Sequence, residues 1–231
     1  MTEEETKAET AAEATAADGA ATEAPAKKKG KKKWPIVVGV VVVVLIAAGA
    51  GFWVWHEQPS FCNAICHTPM DPYNATYDQE LNTTGVDKWG NDVENTRSML
   101  AVTHKALGKT CMNCHVPTLS EQVGEGISWV TGNYVYPLED RSLDDLVAAR
   151  GLENSDEFCL NESCHNMTRD DLVQATSDMK RNPHVAQHGK VACSECHKAH
   201  RASVNYCSGC HSDADIPAGW LTTTESKKLA S

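Results

Sequence analysis

The sequence predicts a mainly α-helical protein with extensive irregular loops: one N-terminal transmembrane helix, then a domain whose interior is not made of side chains. Three observations predict this. Ile36 to Trp55 are twenty consecutive uncharged residues. The remainder is poor in Leu, Ile and Phe, too poor to build an ordinary core. The 10 cysteines fall into five pairs, and a histidine follows the second cysteine of each pair.

Residues 1–33 precede the apolar run. Ala, Glu and Thr dominate residues 1–26, which have almost nothing to bury and read as a disordered tail. The tail ends in a basic block, Lys27-Lys28-Lys29-Gly30-Lys31-Lys32-Lys33. Residues 34–55 are long enough to cross a bilayer as a helix. Trp34, Trp53 and Trp55 flank the run where amphipathic rings sit at membrane surfaces. A cleaved signal or a buried core helix is the alternative. The run is long for a signal core, and it continues into Phe-Trp-Val-Trp rather than polar sequence. The lysines lie on the N-terminal side, so that end is expected in the cytoplasm and residues 56–231 outside the cell membrane. Those outer residues carry 14 Lys and Arg against 24 Asp and Glu, a balance that disfavours nucleic acid as a partner.

The five pairs are Cys62/Cys66–His67, Cys111/Cys114–His115, Cys159/Cys164–His165, Cys193/Cys196–His197 and Cys207/Cys210–His211. Three have two residues between the cysteines, the first has three and the third has four. In C-x-x-C-H the two thiols add to the vinyl groups of a haem, and the histidine beside them ligates the iron. One or two inserted residues bulge the loop while both sulfurs still reach one porphyrin edge. A disulfide framework or zinc sites would also use paired cysteines. Neither requires His directly after every second Cys. The pattern therefore predicts five covalently attached haem c groups filling the interior of residues 56–231, and an unfolded domain without them.

Five histidines remain: His56, His104, His184, His188 and His200. The tally permits a second imidazole on every iron. His104 falls on an expected helix from about Val93 to Leu107, ended by Gly108. His184 and His188 are four apart, on one face if helical. His200 follows His197 by three, so one turn aims it at a neighbouring haem. These four are the expected distal ligands. His56, at the end of the membrane run, either ligates an iron or serves only as an interfacial polar anchor. Met70 follows His67 by three and competes for the first iron; its other reading is packing on that haem. Ser142 with Asp145, and Thr168 with Asp171, predict capped helices, closed at Gly151 and running to about Arg181. There is no dinucleotide fingerprint, P-loop or Ser/His/Asp signature.

The layout resembles the NapC/NirT/NrfH family of membrane-anchored multihaem cytochromes c. The resemblance covers the apolar run, Phe61-Cys-Asn-Ala-Ile-Cys-His-Thr-Pro-Met-Asp-Pro-Tyr73, the His104 to His115 segment, and the stretch from His184 through His211. Phe61–Tyr73 looks most like cytochromes paired with exported flavin-dependent reductases of anaerobes, the cardiac glycoside reductase type among them. The family commonly has four haems, and its first motif often reads C-x-x-C-H-x-M; here an extra residue stands inside the motif and another before Met70. The resemblance implies oxidation of membrane quinol, here menaquinol, and electron delivery to an extracytoplasmic reductase. It also implies a Lys and an acidic group at the quinol site, for which Lys88, Asp71 and Asp92 are the nearest candidates. The alternative is a catalytic multihaem reductase, nitrite-reductase-like, with one open iron. Such enzymes use a C-x-x-C-K site, and none occurs here.

Overall fold

The computed structural model describes residues 33–65, 67–136 and 142–229. The expectations for residues 1–26 and for most of the basic block lie outside them. The chain divides into two units, residues 1–45 and 46–231, the division falling within the first helix.

That helix, α1, spans Trp34–His56 and buries none of its residues. It is long and apolar enough to cross a membrane. The rest is mainly helical, in short pieces: α2 (Pro59–Ile65), α3 (His67–Tyr77), α4 (Leu100–Ala106), α5 (Leu119–Thr131), α6 (Leu143–Ala149), α7 (Ser155–Cys159), α8 (Arg169–Ala175), α9 (Cys193–Cys196) and α10 (Thr223–Leu229). Two small sheets complete it. Strands β1 (Gly85–Val86) and β2 (Asp92–Val93) pair antiparallel; β3 (Val204–Asn205) and β4 (Leu221–Thr222) pair parallel.

The caps read from sequence form locally. Ser142 with Asp145, and Thr168 with Asp171, each exchange two hydrogen bonds as a capping box. Gly108 and Gly151 adopt φ of 77° and 69°, a conformation that stops a helix and suits glycine. Two helices are shorter than expected. Val93 pairs in a strand, and Asn95 accepts from the Arg97 N–H to cap a separate 3-10 turn over Thr96–Ser98, so α4 begins only at Leu100. The helix after Thr168 ends at Ala175 rather than near Arg181. The Thr176 hydroxyl bonds back to the Leu172 carbonyl at 2.8 Å, and Asn182 Nδ2 donates to the Val173 carbonyl at 2.7 Å. These bonds satisfy helix-end acceptors and turn the chain away. His184 and His188 therefore stand in turns, not on one helical face.

The apolar core is small. Val93, Met99, Val102 and Ala202 form it, with Leu81 and Leu221 packed against them. Backbone bonds stitch residues 198–203 to this cluster: Leu100 and Ala101 donate to the Lys198 and Ala199 carbonyls, and Ser203 donates to the Ser98 carbonyl. Across all described residues only Val147, Phe158 and Val204 are further buried apolar side chains. A domain of this length with seven buried apolar residues lacks the interior that ordinary folding requires, as the composition predicted.

Candidate haem-binding site

Each fully described Cys–His motif closes the same way. The histidine N–H donates to the carbonyl of the first cysteine: His115 to Cys111 at 2.8 Å, His197 to Cys193 at 2.9 Å and His211 to Cys207 at 2.8 Å. In the third motif, with four intervening residues, His165 still donates to Cys159 at 3.1 Å. The two extra residues are taken up between the cysteines, where Asn161 Oδ1 accepts from the Ser163 N–H. Insertion thus changes the loop and preserves the relation of thiol to imidazole. In the first motif Cys62 lies on α2 and His67 begins α3; Cys66 and the His67 side chain lie outside the described residues. Met70 is half-buried on α3.

The histidines meet in pairs. The rings of His104 and His165 are 6.0 Å apart, and those of His188 and His211 also 6.0 Å. Two imidazoles on opposite faces of one iron, with bonds of about 2 Å, place their centroids roughly 6 Å apart. His197 feels the charge of His184, and also of His165 and His104, and His200 feels that of His115. Two motif histidines, His165 and His211, thus face histidines expected as distal ligands, and His197 and His115 lie within charge range of others.

Two of these distal rings are held by threonine hydroxyls. Thr76 Oγ1 donates its single proton to the Tyr73 carbonyl at 2.8 Å and lies 2.7 Å from His200 Nδ1. The hydroxyl must then accept from Nδ1–H, which leaves Nε2 unprotonated and able to ligate a metal. Thr176 repeats the device: its oxygen lies 3.0 Å from His184 Nδ1, while Leu172 O and Asn182 Oδ1 compete for its one proton. Burial also pushes His200 down to about 3 and His197 down to about 4, and lowers His184 and His104. Each is a neutral imidazole, the form that binds a metal. Tyr73 packs edge-on against His200 at 5.2 Å, and Trp220 against His197 at 5.2 Å.

Neighbouring motifs approach one another through their cysteines in chain order. The Cys62 and Cys111 thiols contact each other, as do Cys159 and Cys193. Cys114 lies near Cys164, and Cys196 near Cys207. A polar clasp sets the third and fourth motifs side by side. Arg169 grips Asp156 with Nε at 2.9 Å and Nη2 at 2.6 Å, Lys190 reaches the same carboxylate at 3.2 Å, and Ser155 Oγ accepts from the Cys193 N–H. The hydrogen bonds from Arg169 hold the Asp156 carboxyl down at about 2.

The three residues matched to a quinol site are placed differently from one another. Lys88 Nζ lies over the rings of Tyr73 (5.4 Å) and Trp89 (4.7 Å), and the Lys88 N–H donates to the His200 carbonyl. Asp71 and Asp92 are exposed, on α3 and β2. The buried acid nearby is Asp87, whose carboxylate accepts from the Trp89 and Asn91 backbones and closes the hairpin turn.

All nine described cysteines are unbridged, and among the described residues no three His, Cys, Asp or Glu converge on a metal ion. Imidazoles facing one another beside paired thiols suit haem, which the thiols would hold and the imidazoles would ligate. A family model for cytochrome c3 matches residues 145–212, which contain the third, fourth and fifth motifs. Cytochrome c-type protein Cgr1 of Eggerthella lenta is 73% identical over 198 residues, 86% of this chain and 91% of the relative. The chain belongs to the multihaem c-type cytochromes. No solved structure matches it. Membership implies haem c bound through thioethers to motif cysteines, and the residues present fit that group. Thr76, Thr176 and Trp220 carry no sequence signal because they lie far along the chain from the histidines they contact, or, for Thr176 and His184, across an irregular turn.

Proposed function

We propose that this cytochrome carries five haems, is anchored by α1 with residues 56–231 outside the membrane, and passes electrons from menaquinol to an extracytoplasmic reductase. The observation that carries the reading is the ordered approach of the motif cysteines, Cys62 touching Cys111 and Cys159 touching Cys193, with Cys114 within charge range of Cys164 and Cys196 of Cys207. The first of these motifs lies on α2, which starts three residues after α1 ends. An electron entering at the membrane end therefore meets successive sites in the order of the chain.

Haem c supplies reversible one-electron chemistry when bound. The protein residues do the rest. Cys62, Cys66, Cys111, Cys114, Cys159, Cys164, Cys193, Cys196, Cys207 and Cys210 hold the groups. His67, His115, His165, His197 and His211 are the proximal ligands. His104, His184, His188 and His200 are the distal ligands of the third, fourth, fifth and second sites, with Met70 at the first. The threonine hydroxyls keep His200 and His184 in the ligating tautomer. Lys88, with Asp71 and Asp92, remains the quinol-site assignment suggested by resemblance. The acidic outer surface fits a reductase with a basic docking patch.

The test is anaerobic mixing of the purified protein in detergent with menaquinol, following the haem absorption bands. Reduction is expected, with paramagnetic spectra showing low-spin haem at the second to fifth sites. Absence of reduction rejects the quinol reading.

A further inference from the structure

Arg150 holds a positive charge between two haem motifs, and among the described residues no carboxylate pairs with it. It follows the last residue of α6. Its N–H donates to the Leu146 and Val147 carbonyls, each at 3.2 Å, and Gly151, at φ 69°, turns the chain away. The side chain reaches the second motif, where Nη2 donates to the carbonyl of Asn113, between Cys111 and Cys114, at 2.8 Å. The guanidinium lies 4.6 Å from the ring centre of Phe158, the residue before Cys159 of the third motif. Its Nε is enclosed and has no hydrogen-bond partner. Burial raises the Cys114 thiol, and Arg150 is foremost among the charges that lower it again.

A helix C-terminus favours a cation, and an aromatic face favours a flat one. Both explain an arginine at this helix end, but neither requires an enclosed, partnerless Nε. A guanidinium carries a fixed charge, and that charge is felt more strongly where water and counter-charge are withdrawn. The redox groups nearest to it are those that Cys114 and Cys159 would hold. We propose that Arg150 is an electrostatic determinant of electron transfer, its unneutralised charge favouring the reduced state of the second and third haems. This rests on haem attachment at those two motifs and deepens the electron path proposed above. The effect is larger at the second site, whose Asn113 and Cys114 lie closest to the charge. Arg150 thus makes the middle of the chain the place where electrons from the membrane end collect. In the transfer that it spans, one electron moves: the second iron is oxidised, the third is reduced, and no proton or bond changes.

The experiment uses the full chain in detergent, as wild type, Arg150→Gln, Arg150→Met and Arg150→Lys. Gln can still donate to the Asn113 carbonyl but carries no charge. Lys keeps the charge and loses the flat face. Mass spectrometry of the haem peptides checks attachment at the second and third motifs. Redox titration, followed by absorption and paramagnetic resonance, resolves the haem components. A unit charge about 10 Å from a one-electron centre, at the effective dielectric of a protein, shifts its reduction equilibrium on the order of tenfold, about 59 mV. Arg150→Gln should lower the potential of one component by about that amount and of a second by less, with the low-spin signals kept. Thr76→Val, which perturbs the second site through His200, should mark the more strongly shifted component. Arg150→Lys should hold both near their wild-type potentials. If Arg150→Gln does not load haem, Arg150→Met reads the same loss of charge. Unchanged potentials in a fully loaded neutral variant overturn the inference and leave the electron path standing. An equal fall in Arg150→Lys also overturns it and assigns Arg150 to packing alone. Absence of haem from the second or third motif of the wild type removes both.

Discussion

Two regions of the domain that follows α1 are held together by different physics. Around α4, the apolar residues Val93, Met99, Val102 and Ala202 bury one another, and residues 198–203 are stitched on by backbone bonds. Around α7 and α8, Val147 and Phe158 are the only buried apolar side chains, with Arg150 stacked 4.6 Å above the Phe158 ring. There the Asp156–Arg169–Lys190 clasp and the motif loops set the arrangement. The first region has a packed interior of its own. The second has a polar frame and few buried apolar side chains, which haem would supplement. The difference teaches that the cofactor contributes unequally along the chain.

Blocking haem attachment breaks the comparison hardest. Chain made without haem ligation should lose helical circular dichroism throughout residues 56–231, with hydrogen exchange fastest over α7 to α9, since metal-group binding here is folding energy. Met99→Ala removes a side chain with no exposed surface from the packed region. It should cost about 3 kcal/mol in denaturant unfolding of the holoprotein. Asp156→Asn opens the clasp of the other region. Its side chain is 17% exposed, and the loss should be about 2 kcal/mol at neutral pH.

The sign of the pH effect follows from the depressed Asp156 carboxyl. A carboxylate held at about 2 contributes fully above its unfolded value and loses that contribution as pH falls from there through about 2. The gap between wild type and Asp156→Asn should therefore persist at pH 7 and shrink in strong acid, as thermal melts at both ends would show. The smallest expected effect is Thr76→Val. It removes a buried hydrogen bond for about 1 kcal/mol, and it shifts the potential and low-spin spectrum of the second site by freeing the His200 ring. A stability change without a spectral one would remove Thr76 from the haem environment.

Much of this was legible locally. The membrane-length helix follows from twenty uncharged residues, and the caps at Ser142 and Thr168 from side chains that bond three residues away. The Cys–His grammar announces its chemistry without any fold. The facing of histidines was not legible. His184 and His188 looked like one helical face, yet Asn182 and Thr176 end the helix early and send the two rings to different partners. Thr76 lies 124 residues from His200, and only tertiary structure brings a hydroxyl to that nitrogen. The start of α4 was misread because Val93 fits an apolar helix face as well as a strand, and the Asn95 cap decides between them.

The central claim is that thiol-linked porphyrins are the missing interior. Mass spectrometry of the mature protein under denaturing conditions measures it directly. The account predicts a polypeptide heavier by five haems, with a Soret band in the native state. A compact protein at the bare polypeptide mass, colourless in that region, would contradict it.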